Sequence, residues 1–225
     1  MVVVFDLDDT LYKEVDYVKS AYKAILAESL CCSSDFEAAE KLMIDAFEKG
    51  ENAIDALQKN FKVSKSEMEM VAIYRFHLPT ITLSKETVAV LENLKSIPVS
   101  MGMITDGRGL SQRNKFNALG LNQYISNENL LISDEVQASK IEENSFLQIM
   151  ANFPKETTFV YVGDNTAKDF YQSNRLNWIS ICLKNNGVNI HPQNFDCERE
   201  FAPQYIIENI TELPSLIRKI QNNYN

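Results

Sequence analysis

The apolar positions of the chain fall into short continuous runs, separated by stretches of helical periodicity. The runs end in polar or turn residues, which is typical of strands buried on both faces of a sheet. They occupy residues 2–5, 99–105, 158–163, 178–183 and 205–207. Apolar residues spaced three or four positions apart predict helices between the runs, at residues 85–96, 109–119 and 141–152. Strands that alternate with helices predict an α/β fold with a parallel sheet.

The stretch from residue 15 to residue 79 interrupts this alternation, because it shows only helical periodicity. Its apolar residues predict four successive helices. The chain is therefore expected to form two domains. Residues 1–14 and 80–225 would form the α/β core, and residues 15–79 would form an inserted helical domain.

The last predicted helix of the insert has a start signal. Ser64 followed by Glu67 predicts a capping box, in which each side chain bonds the backbone of the other residue. Met68, Ala72 and Phe76 carry the helical periodicity that follows it.

Composition narrows the class of protein. The 225 residues include 22 Lys and Arg against 31 Asp and Glu, a formal net charge of −9, with 45% hydrophobic residues. This usage is that of a globular protein and excludes a disordered chain. The acidic balance argues against nucleic acid as a partner, because such binding needs clustered Lys and Arg. No apolar stretch reaches the roughly 20 residues of a membrane helix, so we expect no membrane partner and a cytoplasmic location.

Polar residues follow the apolar runs where each predicted strand ends. Asp6 and Asp8 follow the first strand, and Asp164 and Asp169 follow the run that ends at Gly163. Ligands bind outside the carboxyl ends of the strands in an open parallel sheet, so these carboxylates should converge. Gathered carboxylates repel one another unless a cation offsets their charge. Because Mg²⁺ takes carboxylates, waters and a substrate phosphate, the pattern indicates a magnesium site and a phosphorylated substrate.

Two further residues would complete this chemistry. Lys140 supplies a positive charge, and Thr105, at the end of the second strand, supplies a hydroxyl donor for a phosphoryl oxygen. Lys115 is the alternative cation, but it lies in a predicted helix beside Phe116, where a solvated face is the simpler interpretation. Lys168 is interpreted as a surface charge of another helix.

With these residues in place, the sequence resembles the haloacid dehalogenase (HAD)-like hydrolase superfamily, whose signature is four motifs at successive strand ends. The four are matched, in order, by residues 6–12, residues 104–107, Lys140 and residues 163–169. Ile141 departs from the pattern, because the family usually has proline after the lysine. The resemblance implies a Rossmann-like parallel sheet core with a four-helix cap inserted between the first two motifs. Such a cap would close over the site and contact the part of the substrate that is not phosphate.

The resemblance also implies roles for the motif residues. Asp6 would be the nucleophile that forms an aspartyl-phosphate, and Asp8 would act as the acid and base. Thr105 and Lys140 would hold the phosphoryl oxygens. The backbone amides near Asp106 and Gly107 would help to bind the substrate.

The implied cofactor is Mg²⁺. Its ligands would be the Asp6 carboxylate, the Asp8 backbone carbonyl and the Asp164 carboxylate, with Asp169 as an outer or water-mediated ligand. Asp9 is expected to stabilise the loop through side-chain to backbone hydrogen bonds instead of acting on substrate.

The expected function is a Mg²⁺-dependent phosphatase that cleaves small-molecule phosphate monoesters. A phosphomutase or other phosphotransferase retains the same motifs and stays open as an alternative, as does a catalytically silent binding protein. Removal of a halide needs no second aspartate, so Asp8 argues against it. The expected partner is a small phosphorylated metabolite, with the chain as a monomer or homodimer.

Overall fold

The computed structural model describes residues 1–224, so Asn225, the last residue of the expected core, lies outside the described residues. The chain divides into two compact units. The first contains Met1–Glu14 and the chain from Thr82 onward, and the second is Val15–Ile81. Thr80 and Ile81 thus belong to the second unit, whereas the sequence pattern places them in the core. The reason is local: the Thr80 amide donates to Ser20 Oγ at 2.8 Å, and Ile81 is buried.

The first unit is built on a six-stranded sheet in which all neighbouring strands are parallel. The strands are β1 (Val2–Phe5), β2 (Ser100–Thr105), β3 (Leu130–Ile132), β4 (Phe159–Gly163), β5 (Ile179–Leu183) and β6 (Tyr205–Ile207). Their order is β3-β2-β1-β4-β5-β6. The chain adds strands first on one side of β1 and then on the other, so the switch point lies between β1 and β4. Ligand sites of open α/β sheets lie at such points.

The predicted parallel α/β sheet is confirmed, with small differences at the strand ends. Strands β2, β4 and β5 each begin one residue later than the apolar runs suggest. The central strand β1 is buried along its whole length, which explains its continuous Val-Val-Val-Phe sequence. In its register Val2 pairs with Ser100 on one side and with Phe159 on the other.

The second unit contains the predicted helices. They are α1 (Glu14–Ser29, which begins at the last residue of the first unit), α2 (Phe36–Glu48), α3 (Ala53–Asn60) and α4 (Glu67–Phe76). One prediction for α4 is wrong. Its capping box joins Ser66 and Glu69, because Ser64 is occupied elsewhere, donating from both N and Oγ to the Ser29 carbonyl oxygen.

The residues that carry the periodicity of α4 do not form its buried face. Met70 is fully buried, whereas Met68 is 82% exposed and Phe76 is 52% exposed. Periodicity identifies residues that share a helix face. Helix α4 has apolar residues on two faces, and its packing determines which of them is buried.

The first unit also contains the remaining helices. They are α5 (Lys85–Lys95), α6 (Gly109–Ala118), α7 (Ser133–Val136), α8 (Asn144–Asn152), α9 (Tyr171–Arg175) and α10 (Leu213–Tyr224). Helix α6 buries a mainly polar face that includes Ser111, Gln112 and Lys115, while Leu110 is 54% exposed. Within residues 1–224, none of the helices combines the length and apolar character needed to cross a membrane.

Candidate active site

A small cavity of about 90 Å³ is formed in the first unit by residues that follow strands β1 to β5. It is lined by Asp6, Asp8, Asp9, Glu14, Asp106, Lys140, Asp164, Asn165, Lys168 and His191. Five of the predicted site residues are in this set. Thr105, Gly107 and Asp169 do not line the cavity, and Thr105 and Asp169 are buried. Strand-end position therefore brought most of the expected residues to one place.

Asp6 follows β1 directly, and its carboxylate is held through one oxygen. The Leu7 amide donates to Oδ1 at 2.7 Å, and the Lys140 ammonium lies 2.6 Å from the same atom. Oδ2 accepts no hydrogen bond from the residues that the structure describes, so it is the oxygen available for chemistry. Burial, together with the negative charge of Asp169 and against the attraction of Lys140, raises the pKa of Asp6 to about 7.

Lys140 bridges two carboxylates in the interior of the site. Its side chain is 1% exposed, and Nζ lies 2.6 Å from Asp6 and 2.9 Å from Asp169 Oδ1. Burial opposes the charged form, but the two carboxylates outweigh it and raise the pKa of Lys140 well above its usual value. The lysine is therefore a fixed cation. Ile141, where the family pattern has proline, does not prevent this contact.

Three buried carboxylates offer a set of oxygen ligands. Asp6, Asp164 and Asp169 each place one carboxylate oxygen within 4.8 Å of the others. Burial and the charges of Asp6 and Asp169 raise the pKa of Asp164 to about 8, so without a divalent cation Asp6 and Asp164 resist full ionisation. Hard carboxylate oxygens at this spacing fit a divalent cation such as Mg²⁺.

Asp169 is the anchor of its loop. Its Oδ2 accepts the amides of Asp164 at 3.1 Å and Asn165 at 2.8 Å, and its Oδ1 accepts Lys140. Gly163 permits this approach, because a Cβ at that position would collide with the Asp169 carboxylate. Since both oxygens of Asp169 already have partners, it is less available as a direct metal ligand than Asp6 or Asp164.

Asp8 occupies a different environment two residues after Asp6. Lys115 Nζ lies 2.8 Å and 2.9 Å from its two carboxylate oxygens. Tyr12 donates its hydroxyl to Oδ1, and Gln112 Nε2 donates to Oδ2 at 2.9 Å. Burial favours the neutral form of Asp8, but the charge and hydrogen bonds of Lys115, with those of Tyr12 and Gln112, lower its pKa overall.

The expectation of a solvated Lys115 is wrong. Lys115 is only 4% exposed, because α6 turns its polar face inward. Its ammonium also lies 3.8 Å from Glu14, whose pKa is raised to about 7 by burial and by the charge of Asp8. Gln112 and Lys115 share a face of α6 at a spacing of three, but this spacing does not show whether the face is buried.

The second-motif residues are held by a dense set of contacts. Gln112 Nε2 donates to Thr105 Oγ1 at 2.6 Å, so the Thr105 hydroxyl keeps its own proton for another acceptor. Asp106 accepts the Lys140 amide and pairs with Lys168 at 2.8 Å. Lys168 therefore belongs to the cavity wall and is not the surface charge that its helix context indicates. The Gly107 amide donates to Ser133 Oγ at 3.0 Å, which departs from the expected contact with substrate.

A segment after β5 contributes residues that the sequence did not indicate. Asn189 Nδ2 donates to Asp164 Oδ2 at 2.8 Å, and Asn189 Oδ1 accepts Lys13 at 2.7 Å. As expected, Asp9 bonds the backbone: it accepts the amides of Glu14 and Ile190. These partners lie up to 181 positions apart, so no local pattern could indicate them.

Most of the sequence matches one known protein family. The family described as haloacid dehalogenase-like hydrolase matches residues 3–182. Because this match covers more than half of the chain, the chain belongs to the haloacid dehalogenase-like hydrolase family. The resemblance that the four motifs indicated is confirmed.

Relatives of similar length make the class more specific. The chain is 26% identical to a glyceraldehyde 3-phosphate phosphatase of Methanocaldococcus jannaschii, with 98% of each chain aligned. It is 24% identical to a protein of the same name from Methanopyrus kandleri, with 97% of each aligned. These relatives, with the family, identify the chain as an enzyme of the phosphatase type.

Solved structures agree on the fold. A HAD-type hydrolase of Bacillus subtilis bound to magnesium has a TM-score of 0.67 at 16% identity and covers 96% of this chain and 97% of its own. A 2-haloacid dehalogenase of Pseudomonas syringae has a TM-score of 0.64 at 20% identity, over 97% of this chain and 98% of its own.

Proposed function

We propose that the chain hydrolyses small-molecule phosphate monoesters with Mg²⁺, through an aspartyl-phosphate on Asp6. One observation carries the proposal: Lys140 is buried between Asp6 and Asp169, with Asp164 beside them, at a cavity that also contains Asp8. A nucleophile, a fixed cation, oxygen ligands and a proton carrier thus lie together, and phosphoryl transfer needs all four.

The ligands that we propose for Mg²⁺ are the Asp6 and Asp164 carboxylates and the Asp8 backbone carbonyl, with Asp169 acting through water. When fully ionised, the three carboxylates would carry three negative charges against the one positive charge of Lys140, which would leave a net charge of −2 for a divalent cation to offset. Bound Mg²⁺ would neutralise charge on the transferring phosphoryl group. The Bacillus subtilis hydrolase of the same fold was solved with magnesium bound.

The proposed reaction has two steps. Asp6 Oδ2 forms a bond to phosphorus as the bond to the leaving oxygen breaks, and Asp8 gives its proton to that oxygen. Asp8 then takes a proton from water, whose oxygen bonds to phosphorus while the bond to Asp6 breaks. Lys140 and the Thr105 hydroxyl hold the phosphoryl oxygens. A bound phosphoryl dianion raises the pKa of Asp8 from its low value, which allows it to carry the proton.

We propose a small sugar phosphate as the substrate, with glyceraldehyde 3-phosphate as the first compound to test. The name of the relatives, which align over nearly their whole length, supports it. A cytoplasmic location is also part of the proposal. It is supported by four cysteines that are all free thiols, a state typical of reducing compartments.

Phosphate release tests this proposal. Glyceraldehyde 3-phosphate, other small sugar phosphates and p-nitrophenyl phosphate would be assayed with Mg²⁺ and with chelator. The exposed Asp16→Asn variant is the matched control for Asp6→Asn. Turnover that needs both Mg²⁺ and Asp6 but not Asp16 supports the proposal. Turnover that survives in Asp6→Asn would overturn the aspartyl-phosphate route.

A further inference from the structure

The carboxylate of Asp8 is held from behind by helix α6. Asp8 lines the cavity, whereas Lys115 and Gln112 do not, so the helix contacts Asp8 away from the cavity. Lys115 reaches both carboxylate oxygens, at 2.8 Å and 2.9 Å, and Gln112 reaches Oδ2 at 2.9 Å. Two donors three residues apart on one helix thus fix the plane of the Asp8 carboxylate.

Gln112 also links Asp8 to the expected phosphate contact. Its Nε2 lies 2.6 Å from Thr105 Oγ1 as well as 2.9 Å from Asp8 Oδ2. One amide therefore sets the distance between the group that would carry the proton and the hydroxyl that would hold the phosphoryl oxygen. Gly107 leaves space for it, because a Cβ there would lie 2.9 Å from Gln112 Cγ.

Helix α6 also carries a solvent-exposed ion pair, which serves as a comparison for Lys115. Arg113 pairs with Glu135 through two contacts of 2.5 Å, and its side chain is 40% exposed. Lys115 has a side-chain exposure of 5%, and its main partner lines the cavity. Burying an ammonium group is costly, and a solvent-exposed pair would stabilise the helix without that cost. The burial of Lys115 therefore indicates a role at the site.

We propose that Lys115 and Gln112 are positioning residues that orient the Asp8 carboxylate for proton transfer to the leaving oxygen. This inference rests on the proposed function. Lys115 keeps its own proton: the proton that reaches the leaving oxygen comes from Asp8 as the bond from phosphorus to that oxygen breaks, and Asp8 recovers a proton from water. Fixing the carboxylate in advance avoids the loss of orientational freedom during the reaction.

The leaving group distinguishes positioning from a purely structural role. An alkyl phosphate needs a proton on its leaving oxygen, whereas p-nitrophenolate leaves without one. The experiment measures kcat/KM for glycerol 3-phosphate and for p-nitrophenyl phosphate, because kcat/KM reports the first step. In Lys115→Met we expect kcat/KM to fall about 30-fold or more for the alkyl ester and less than about 3-fold for the aryl ester.

Three further variants make the result decisive. Arg113→Met removes a cation from the same helix and should change neither value. Lys115→Arg keeps the charge and should restore part of the loss for the alkyl ester. Gln112→Leu should lower both values, because Gln112 also contacts Thr105, but it should lower the value for the alkyl ester further. This unequal loss decides the question if Lys115→Met does not fold.

Equal losses for both esters in Lys115→Met and Gln112→Leu, or no loss for either, would overturn the inference while the proposed function stands. A wild-type chain without turnover that depends on Asp6 and Mg²⁺ would overturn the proposed function, and this inference with it. The two failures are therefore distinguishable.

Discussion

Asp6 and Asp8 are two residues apart, and each lies beside a buried lysine. The Asp6 cluster contains Asp6, Lys140, Asp164 and Asp169, and the Asp8 cluster contains Asp8, Lys115, Gln112 and Tyr12. The pKa values of Asp6 and Asp8 are shifted in opposite directions. Lys140 is shared between Asp6 and Asp169, and the pKa of Asp6 is raised to about 7 because burial and Asp169 outweigh that lysine. Lys115 contacts both oxygens of Asp8, and with Tyr12 and Gln112 it lowers the pKa of Asp8 despite burial.

This contrast shows how one loop can support two kinds of chemistry. The Asp6 cluster keeps excess negative charge and an oxygen without a partner among the described residues, which suits a cation and an incoming phosphoryl group. The Asp8 cluster satisfies its carboxylate with several donors, which fixes its direction. The Asp6 cluster is therefore arranged to bind a cation and a phosphoryl group, and the Asp8 cluster is arranged to fix the direction of the Asp8 carboxylate.

The largest expected effect comes from removing the Asp6 carboxylate, since the Asp8 cluster cannot substitute for it. In Asp6→Asn, phosphate release should fall at least about 1,000-fold, because an amide does not attack phosphorus. Acid quenching during turnover of a labelled substrate should trap phosphate on the wild-type chain but not on this variant. Labelled protein from the variant would show that another residue is the nucleophile.

Removing Lys140 should have the next largest effect. Lys140→Met leaves Asp6 and Asp169 buried without their shared cation, so the rate should fall about 100-fold or more. The free energy of unfolding should fall by about 3 kcal/mol. Steady-state kinetics and urea denaturation measure the two effects. Lys184→Met, which breaks the exposed pair with Glu208, is the control and should change neither. A near-normal rate in Lys140→Met would assign its role to another cation.

The raised pKa values predict how the stability of the metal-free chain depends on pH. Asp6 and Asp164 have folded-state pKa values of about 7 and 8, above those of the unfolded chain, so the folded state binds more protons between pH 4 and pH 8. The stabilisation is complete below pH 4 and is lost as pH rises through 7 and 8. With chelator present, the free energy of unfolding should fall by about 2 to 4 kcal/mol from pH 6 to pH 8.

Urea denaturation at the two pH values measures this loss. Mg²⁺ should reduce it, because a bound cation replaces the protons. Asp164→Asn should flatten the dependence, since the amide does not titrate. A metal-free chain that gained stability from pH 6 to pH 8 would contradict the electrostatics described for the Asp6 cluster.

Asn189 should have the smallest effect, because it acts on the Asp6 cluster through Asp164. Asn189→Ala removes the hydrogen bond to Asp164 Oδ2 and should weaken Mg²⁺ binding about 10-fold. Calorimetric titration with Mg²⁺ measures this directly. Asn60→Ala, which removes an exposed side-chain bond within α3, should leave the affinity unchanged. An unchanged affinity in Asn189→Ala would mean that the Asp164 carboxylate is oriented by other contacts.

Local sequence patterns predicted more of the fold than of the site. Every predicted strand forms, because a buried strand needs a continuous apolar run whatever surrounds it. Asp6, Asp8 and Asp164 reach one cavity because parallel strands share their carboxyl edge. The capping box of α4 was misplaced because Ser64 found a partner in Ser29, 35 positions away.

The sequence by itself determined the α/β alternation, the helical insert and the carboxylates at the strand ends, since each depends on residues close together in the chain. Only the tertiary structure decided which side chains donate to Asp8 and Asp164. Lys115 lies 107 positions from Asp8, and Asn189 lies 25 positions from Asp164. Whether a lysine on a helix faces solvent or a carboxylate depends on how the helix packs, and packing is a property of the whole fold.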